Sequence, residues 1–122
     1  MKKVLVVDDL KPVRQSIEAV LTRKGFAVQT ADGHRQAIDT LGKADFDLVL
    51  TDILMPENDG LDLIDWIKAH KPDTRIVAMS GGGSLASPQE ALSLAGDMVQ
   101  ATIRKPFDGD ELLDVLAPIL RE

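Results

Sequence analysis

Hydrophobic positions along the chain follow two alternating patterns. Short apolar runs rich in β-branched residues predict strands at residues 3–8, 26–30, 47–51, 75–80 and 101–104. Between these runs, apolar residues recur three or four positions apart, which indicates amphipathic helices. Such helices are predicted at residues 12–24, 34–41 and 61–70, after the capping sequence SPQE at 87–90, and after DGDE at 108–111.

This alternation predicts an α/β fold. Strands that alternate with helices form a parallel sheet with helices on both faces, and right-handed crossovers make that sheet doubly wound. The 122 residues suit a single domain over residues 1–122. In such sheets ligands bind at the carboxyl ends of the strands, near the switch in strand order.

Chemically active side chains follow four of the predicted strands. The first strand ends in Asp8 and Asp9, the third in Asp52, the fourth in Ser80 and the fifth in Lys105. Because parallel strands end at one edge of the sheet, these groups are expected to lie close together. A buried carboxylate such as Asp52 is costly without a partner, and this edge would supply one.

The expected cluster has an unbalanced charge. Three carboxylates and one ammonium leave two net negative charges, so either a carboxyl pKa rises or a divalent cation binds. A set of oxygen ligands open to water suits Mg²⁺, which takes one or two carboxylates and keeps several waters.

Composition narrows the possible partners. The net charge of -6 without a basic stripe disfavours direct nucleic-acid binding. The chain has no cysteine, which excludes disulfides and cysteine-based zinc sites. Only four apolar residues follow MKK, and no apolar run is long enough for a membrane span. We therefore expect a cytoplasmic protein without membrane contact.

Four motifs together resemble the receiver domain of two-component response regulators. They are VLVVDD at 4–9, DILMPENDG at 52–60, MSG at 79–81 and KPF at 105–107, and their order and spacing match that family along the whole chain. The resemblance implies a flavodoxin-like (βα)5 fold with a five-stranded sheet in the order 2-1-3-4-5.

The resemblance also implies a role for each site residue. Asp52 would accept a phosphoryl group from a sensor histidine kinase or a histidine phosphotransferase. Mg²⁺ would be held by Asp8, Asp9, Asp52 and the backbone carbonyl of Leu54.

Two further residues would contact the phosphoryl group, Lys105 through an ion pair and Ser80 through a hydrogen bond. The chain would then be a phosphoacceptor switch, not an enzyme with a separate substrate, and it would act on a downstream protein that the sequence does not identify.

The sequence departs from the family pattern at one switch position. Thr102 stands three residues before Lys105, where receivers usually carry an aromatic residue. The triple glycine at 81–83 favours a mobile loop over residues 81–86 whose conformation depends on phosphorylation. The bond between Lys105 and Pro106 is expected to be cis, as is typical of the family.

Several alternatives stay open at this point. Asp8 or Asp9 could be a helix N-cap, and Arg14 could either touch the phosphodonor or be solvated. A haloacid-dehalogenase-type phosphatase would need a D-x-D pair after its first strand, and an FMN carrier a hydroxyl- and glycine-rich loop; the sequence there is DDLKP. A receiver that binds partners without phosphorylation is the closest rival. The chain could stand alone or be a piece of a longer protein.

Overall fold

The computed structural model describes residues 2–52, 60–80, 99–105 and 107–120, and this part of the chain contains five strands and four helices. The strands are β1 Lys3–Val7, β2 Ala27–Ala31, β3 Leu48–Asp52, β4 Arg75–Ser80 and β5 Ala101–Arg104. The helices are α1 Lys11–Arg23, α2 His34–Lys43, α3 Gly60–His70 and α4 Gly109–Leu120. The helix predicted after residue 87, the 81–86 loop, Leu54 and Pro106 lie outside the described residues.

The strands form one parallel sheet in the order β2-β1-β3-β4-β5. This confirms the predicted fold class and strand order. The chain adds β2 on one side of β1 and β3 on the other, so the switch in strand order lies between β1 and β3. In the register of that pair Val7 is opposite Thr51, which puts the residues that follow β1 beside the end of β3.

The core lies on both faces of the sheet. Along β1, Leu5 and Val7 lie on one face of the sheet, in a cluster with residues of α2 and α3. Val4 and Val6 lie on the other face, in a cluster with residues of α1 and α4. Because helices cover both faces, the middles of the central strands are apolar on both sides, which is why short hydrophobic runs predicted them. The two cores hold the sheet edge in a fixed position.

Helix α1 begins and ends within one residue of the predicted range 12–24. Pro12 lies in the first turn, where its missing N–H costs no helical hydrogen bond. Gly25 follows the helix with a φ of 93°, a conformation that favours glycine, and its N–H donates to the carbonyl of Thr22.

Several predicted boundaries differ from the structure by one or two residues, those of α2 and β3 among them. The prediction that α2 stops before Gly42 was wrong, because the helix continues through Gly42 to Lys43 and the Ala44 N–H donates to the Thr40 carbonyl. A glycine inside a helix costs only about 1 kcal/mol, which the packing of buried Leu41 can offset. Strand β3 runs one residue further than predicted and includes Asp52, whose backbone is therefore fixed by pairing with Met79.

Candidate functional site

Three carboxylates gather where β1 and β3 end. Asp8, Asp9 and Asp52 each place one carboxylate oxygen within 4.8 Å of the others. Asp8 is fully buried and Asp52 is only 5% exposed, whereas Asp9 is half-buried. They meet because β1 and β3 are neighbours in the sheet, as the order of the motifs predicted.

Lys105 bridges two of these carboxylates. Its Nζ donates to Asp8 Oδ2 at 2.5 Å and to Asp52 Oδ2 at 2.9 Å, and its side chain is 14% exposed. Lys105 directly follows β5, and its ammonium reaches the carboxylates at the ends of β1 and β3. The two carboxylates that are most costly to bury thus share one cation.

The backbone and side-chain polar groups of Asp8 all have hydrogen-bond partners. The backbone N–H donates to the carbonyl of Ala31, and Oδ1 accepts the N–H of Leu10 at 2.9 Å. The Asp8 carbonyl accepts a hydrogen bond from Arg14 Nη1 at 2.8 Å. Leu10 occupies the N-cap position of α1 and provides no side-chain cap, so neither Asp8 nor Asp9 has the alternative role of helix N-cap.

Burial and charge shift two pKa values in this cluster. The pKa of Asp9 is raised, first by burial and then by the charge of Asp8, with a smaller contribution from Asp52. Burial alone would lower the pKa of Lys105, but hydrogen bonds and ion pairs with Asp8 and Asp52 outweigh it and raise that pKa. Lys105 is therefore charged at neutral pH, while the half-buried Asp9 resists taking on negative charge.

The donor set fits a hard divalent cation. All three candidate ligand groups are carboxylates, and only one of the negative charges in the cluster is balanced by Lys105. Oxygen ligands with accessible water suit Mg²⁺. Asp8, Asp9 and Asp52 are the described residues that could hold it, and the carbonyl proposed for Leu54 lies outside the described residues.

Two residues singled out in the sequence, Ser80 and Thr102, lie on β4 and β5. Ser80 is the last residue of β4 and pairs with Arg104 of β5, so its backbone lies at the same edge as Asp52. The role given to its hydroxyl stays a prediction. Thr102 is exposed on β5, opposite Ala78 in the register.

Arg14 is the residue whose place the sequence left undecided. The structure puts its guanidinium on the carbonyl between Asp8 and Asp9, not in bulk solvent. Its position in the first turn of the helix after an acidic strand end was the available signal, but spacing alone does not give the direction of a long side chain.

Comparison with known proteins identifies the family. The profile of the response regulator receiver domain matches residues 4–117. The response regulator protein PilR of Pseudomonas aeruginosa is 34% identical over 120 residues, which is 98% of this chain and 26% of PilR. Sporulation initiation phosphotransferase F of Bacillus subtilis is 31% identical over 119 residues, which is 98% of this chain and 94% of that protein.

The fold agrees with solved structures of the same kind. The response regulator TrrA of Thermotoga maritima, solved in complex with Mg²⁺-BeF, has a TM-score of 0.85 at 28% identity, covering 98% of this chain and 100% of TrrA. Within the described residues, the helices are too short or too polar to span a membrane. Sequence, fold and acidic edge agree, and the chain belongs to the response regulator receiver domains of two-component systems.

Proposed function

We propose that this chain is a phosphoacceptor switch in which Asp52 takes a phosphoryl group from a phosphohistidine. The donor is a sensor histidine kinase or a histidine phosphotransferase, and the reaction depends on Mg²⁺. The observation that carries the proposal is the ammonium of Lys105, which joins Asp8 and Asp52 within a cluster of three carboxylates.

Asp52 is the best-placed nucleophile of the three acids. It ends the central strand β3, it is 5% exposed, and its carboxylate accepts a hydrogen bond from the Lys105 ammonium. In the transfer, a carboxylate oxygen of Asp52 forms a bond to phosphorus as the phosphorus–nitrogen bond of the donor breaks. The electron pair of that bond goes to the leaving imidazole nitrogen.

The other site residues manage charge during transfer. Phosphoryl transfer needs in-line positioning and stabilisation of the negative equatorial oxygens more than it needs covalent help. Asp8 and Asp9 would hold Mg²⁺ together with Asp52, and the ion when bound offsets negative charge on the phosphoryl oxygens. Lys105 remains available as an ion-pair partner for the phosphoryl group.

The relatives support this assignment. Fluoride complexes of beryllium resemble a phosphoryl group in shape and charge, and TrrA binds one together with Mg²⁺. Phosphotransferase F carries phosphoryl transfer in its name and matches nearly the whole of this chain. We infer that phosphorylation of Asp52 changes the affinity of this chain for a downstream protein, and that the chain assists its own phosphorylation and dephosphorylation.

Intact mass measurement tests the chemistry. With Mg²⁺ and acetyl phosphate, the wild type should gain one phosphoryl group, and EDTA should prevent the gain. Asp52→Asn should gain none, because its amide is a poor nucleophile. Asp45→Asn is the matched control, since Asp45 is an exposed aspartate paired with Lys71 on the surface, and it should react like the wild type.

Equal phosphorylation of the Asp52→Asn variant, or a gain that EDTA does not affect, would contradict the proposal. A folded wild type that gains nothing from acetyl phosphate or from a phosphorylated histidine kinase would favour a receiver that binds its partners without phosphorylation.

A further inference from the structure

The peptide group between two of the proposed metal ligands is held by a side chain outside the cluster. Arg14 Nη1 donates to the carbonyl oxygen of Asp8 at 2.8 Å, and the Arg14 side chain is half-buried. Arg14 itself is fixed in the first turn of α1, where its backbone N–H donates to the carbonyl of Leu10 at 3.1 Å.

This hydrogen bond constrains Asp9 through the backbone. The carbonyl of Asp8 and the N–H of Asp9 belong to one planar peptide unit, so a hydrogen bond to the oxygen restricts the orientation of the plane and the direction of the chain at the Asp9 Cα. The Asp8 side chain is already held by Leu10 and Lys105. The hydrogen bond from Arg14 in addition holds the peptide that leads to Asp9, the more exposed of the two proposed ligands.

We propose that Arg14 is a positioning residue for the Mg²⁺ site. It does not contact the ion; it holds the peptide between Asp8 and Asp9 so that their carboxylates keep the spacing that one ion requires. The inference rests on the proposed function, because it assumes that these carboxylates bind Mg²⁺. Loss of such an outer partner typically weakens metal affinity by about 10- to 100-fold.

The same helix offers a matched control. Arg23 lies in the last turn of α1, and its Nε donates to the carbonyl of Ala19 at 3.4 Å on the exposed surface. Arg14 and Arg23 therefore share residue type, helix and kind of hydrogen bond. They differ in distance from the carboxylates. Truncating either arginine changes the net charge by the same amount, but only truncation of Arg14 removes a hydrogen bond at the site.

Titration of the isotope-labelled chain with MgCl₂, followed through backbone amide shifts in NMR, measures the affinity directly. Arg14→Met should bind Mg²⁺ about tenfold more weakly than the wild type. Arg14→Lys retains a charged donor of nearly the same reach and should bind Mg²⁺ more tightly than Arg14→Met. Arg23→Met should bind as the wild type does.

A structural role alone would give a different result. If Arg14→Met lowers the unfolding temperature but binds Mg²⁺ as tightly as Arg23→Met, the inference is overturned and the metal site stands. If Arg14→Met does not fold, Arg14→Gln replaces it, because its amide is polar but two atoms too short to reach the carbonyl; wild-type affinity in that variant would also overturn the inference. A wild type that binds no Mg²⁺ would overturn the proposed function itself.

Discussion

A single ammonium group makes the burial of two carboxylates at the end of the sheet tolerable. Asp8 and Asp52 are nearly inaccessible to water, and Lys105 donates to both. Removing one partner of a buried ion pair leaves an uncompensated charge, which costs more than the pair contributes. Lys105 therefore has a structural role that is separate from its proposed contact with a phosphoryl group.

The variant Lys105→Met tests this role. Without Mg²⁺ at neutral pH, we expect its free energy of unfolding to fall by about 3 kcal/mol, measured by urea denaturation. Lys71→Met removes a lysine from an exposed pair with Asp45. Its free energy of unfolding should fall much less, because solvent screens that pair. Equal losses in the two variants would show that burial of the Lys105 pair does not matter.

Asp9 makes the stability of the metal-free chain fall as the pH rises through its pKa. Its pKa is raised in the folded chain, by burial first and the charge of Asp8 second, so the folded state holds this proton more tightly than the unfolded state. Stability is therefore unaffected below the ordinary aspartate value of 3.8, and it falls as the pH rises from there through the raised pKa. Ionisation of Asp9 therefore lowers the stability of the metal-free chain.

Replacing Asp9 with Asn should remove that penalty. We expect a higher urea midpoint than the wild type at pH 7 without Mg²⁺, and no difference once the pH is well below 3.8. Asp65→Asn, at an exposed position on α3, controls for the change in net charge. A benefit that is largest in acid would contradict the sign of the shift.

At the scale of elements, the local pattern predicts strand identity better than strand limits. The strands β1, β3 and β4 are buried on both faces, so their apolar runs are unmistakable in the sequence. Their limits depend on partners far along the chain. The Asp47 N–H donates to the carbonyl of Lys3 and the Asp47 side chain accepts the N–H of Lys3, contacts that lie just before β3 and outside any local window.

The start of α4 is an element-scale feature that the sequence did predict. Asp108 precedes the helix, and its Oδ1 accepts the N–H of Glu111 at 2.8 Å, as an N-cap residue does. Asp108→Ala should lower the free energy of unfolding by about 1 kcal/mol in thermal or urea denaturation.

Asp114→Ala provides the comparison for the cap. Asp114 is exposed in the middle of α4, where alanine is a better helix former than aspartate. This substitution should leave stability nearly unchanged or raise it slightly. If both substitutions had the same effect, the hydrogen bond from Glu111 would contribute nothing at the helix start.

At the scale of the whole molecule, strand topology explains what was predictable about the site. Asp8, Asp52 and Lys105 are far apart in sequence, yet the order of parallel strands brings their ends to one edge. That much follows from counting strands and noting which residue ends each one. The bond from Arg14 to the Asp8 carbonyl does not follow, because long side chains choose their direction from neighbours that only the folded chain supplies.

The packing of the whole sheet also explains why the carboxylates at its edge keep their positions. Two apolar cores pack against the two faces of the sheet, and the charged groups lie at its carboxyl edge. A site built on rigid strands keeps its geometry more accurately than one built on loops alone. We therefore propose one group of the cluster, the carboxylate of Asp52, as the phosphoryl acceptor.

Chemical mapping of the phosphorylated residue tests that claim most directly. After incubation with Mg²⁺ and acetyl phosphate, borohydride reduces an aspartyl phosphate to homoserine, and peptide mass spectrometry locates it. We expect homoserine at position 52 alone, and none when EDTA is present. Homoserine at position 8 or 9, or a phosphoryl group that resists reduction because it lies on another kind of side chain, would contradict it.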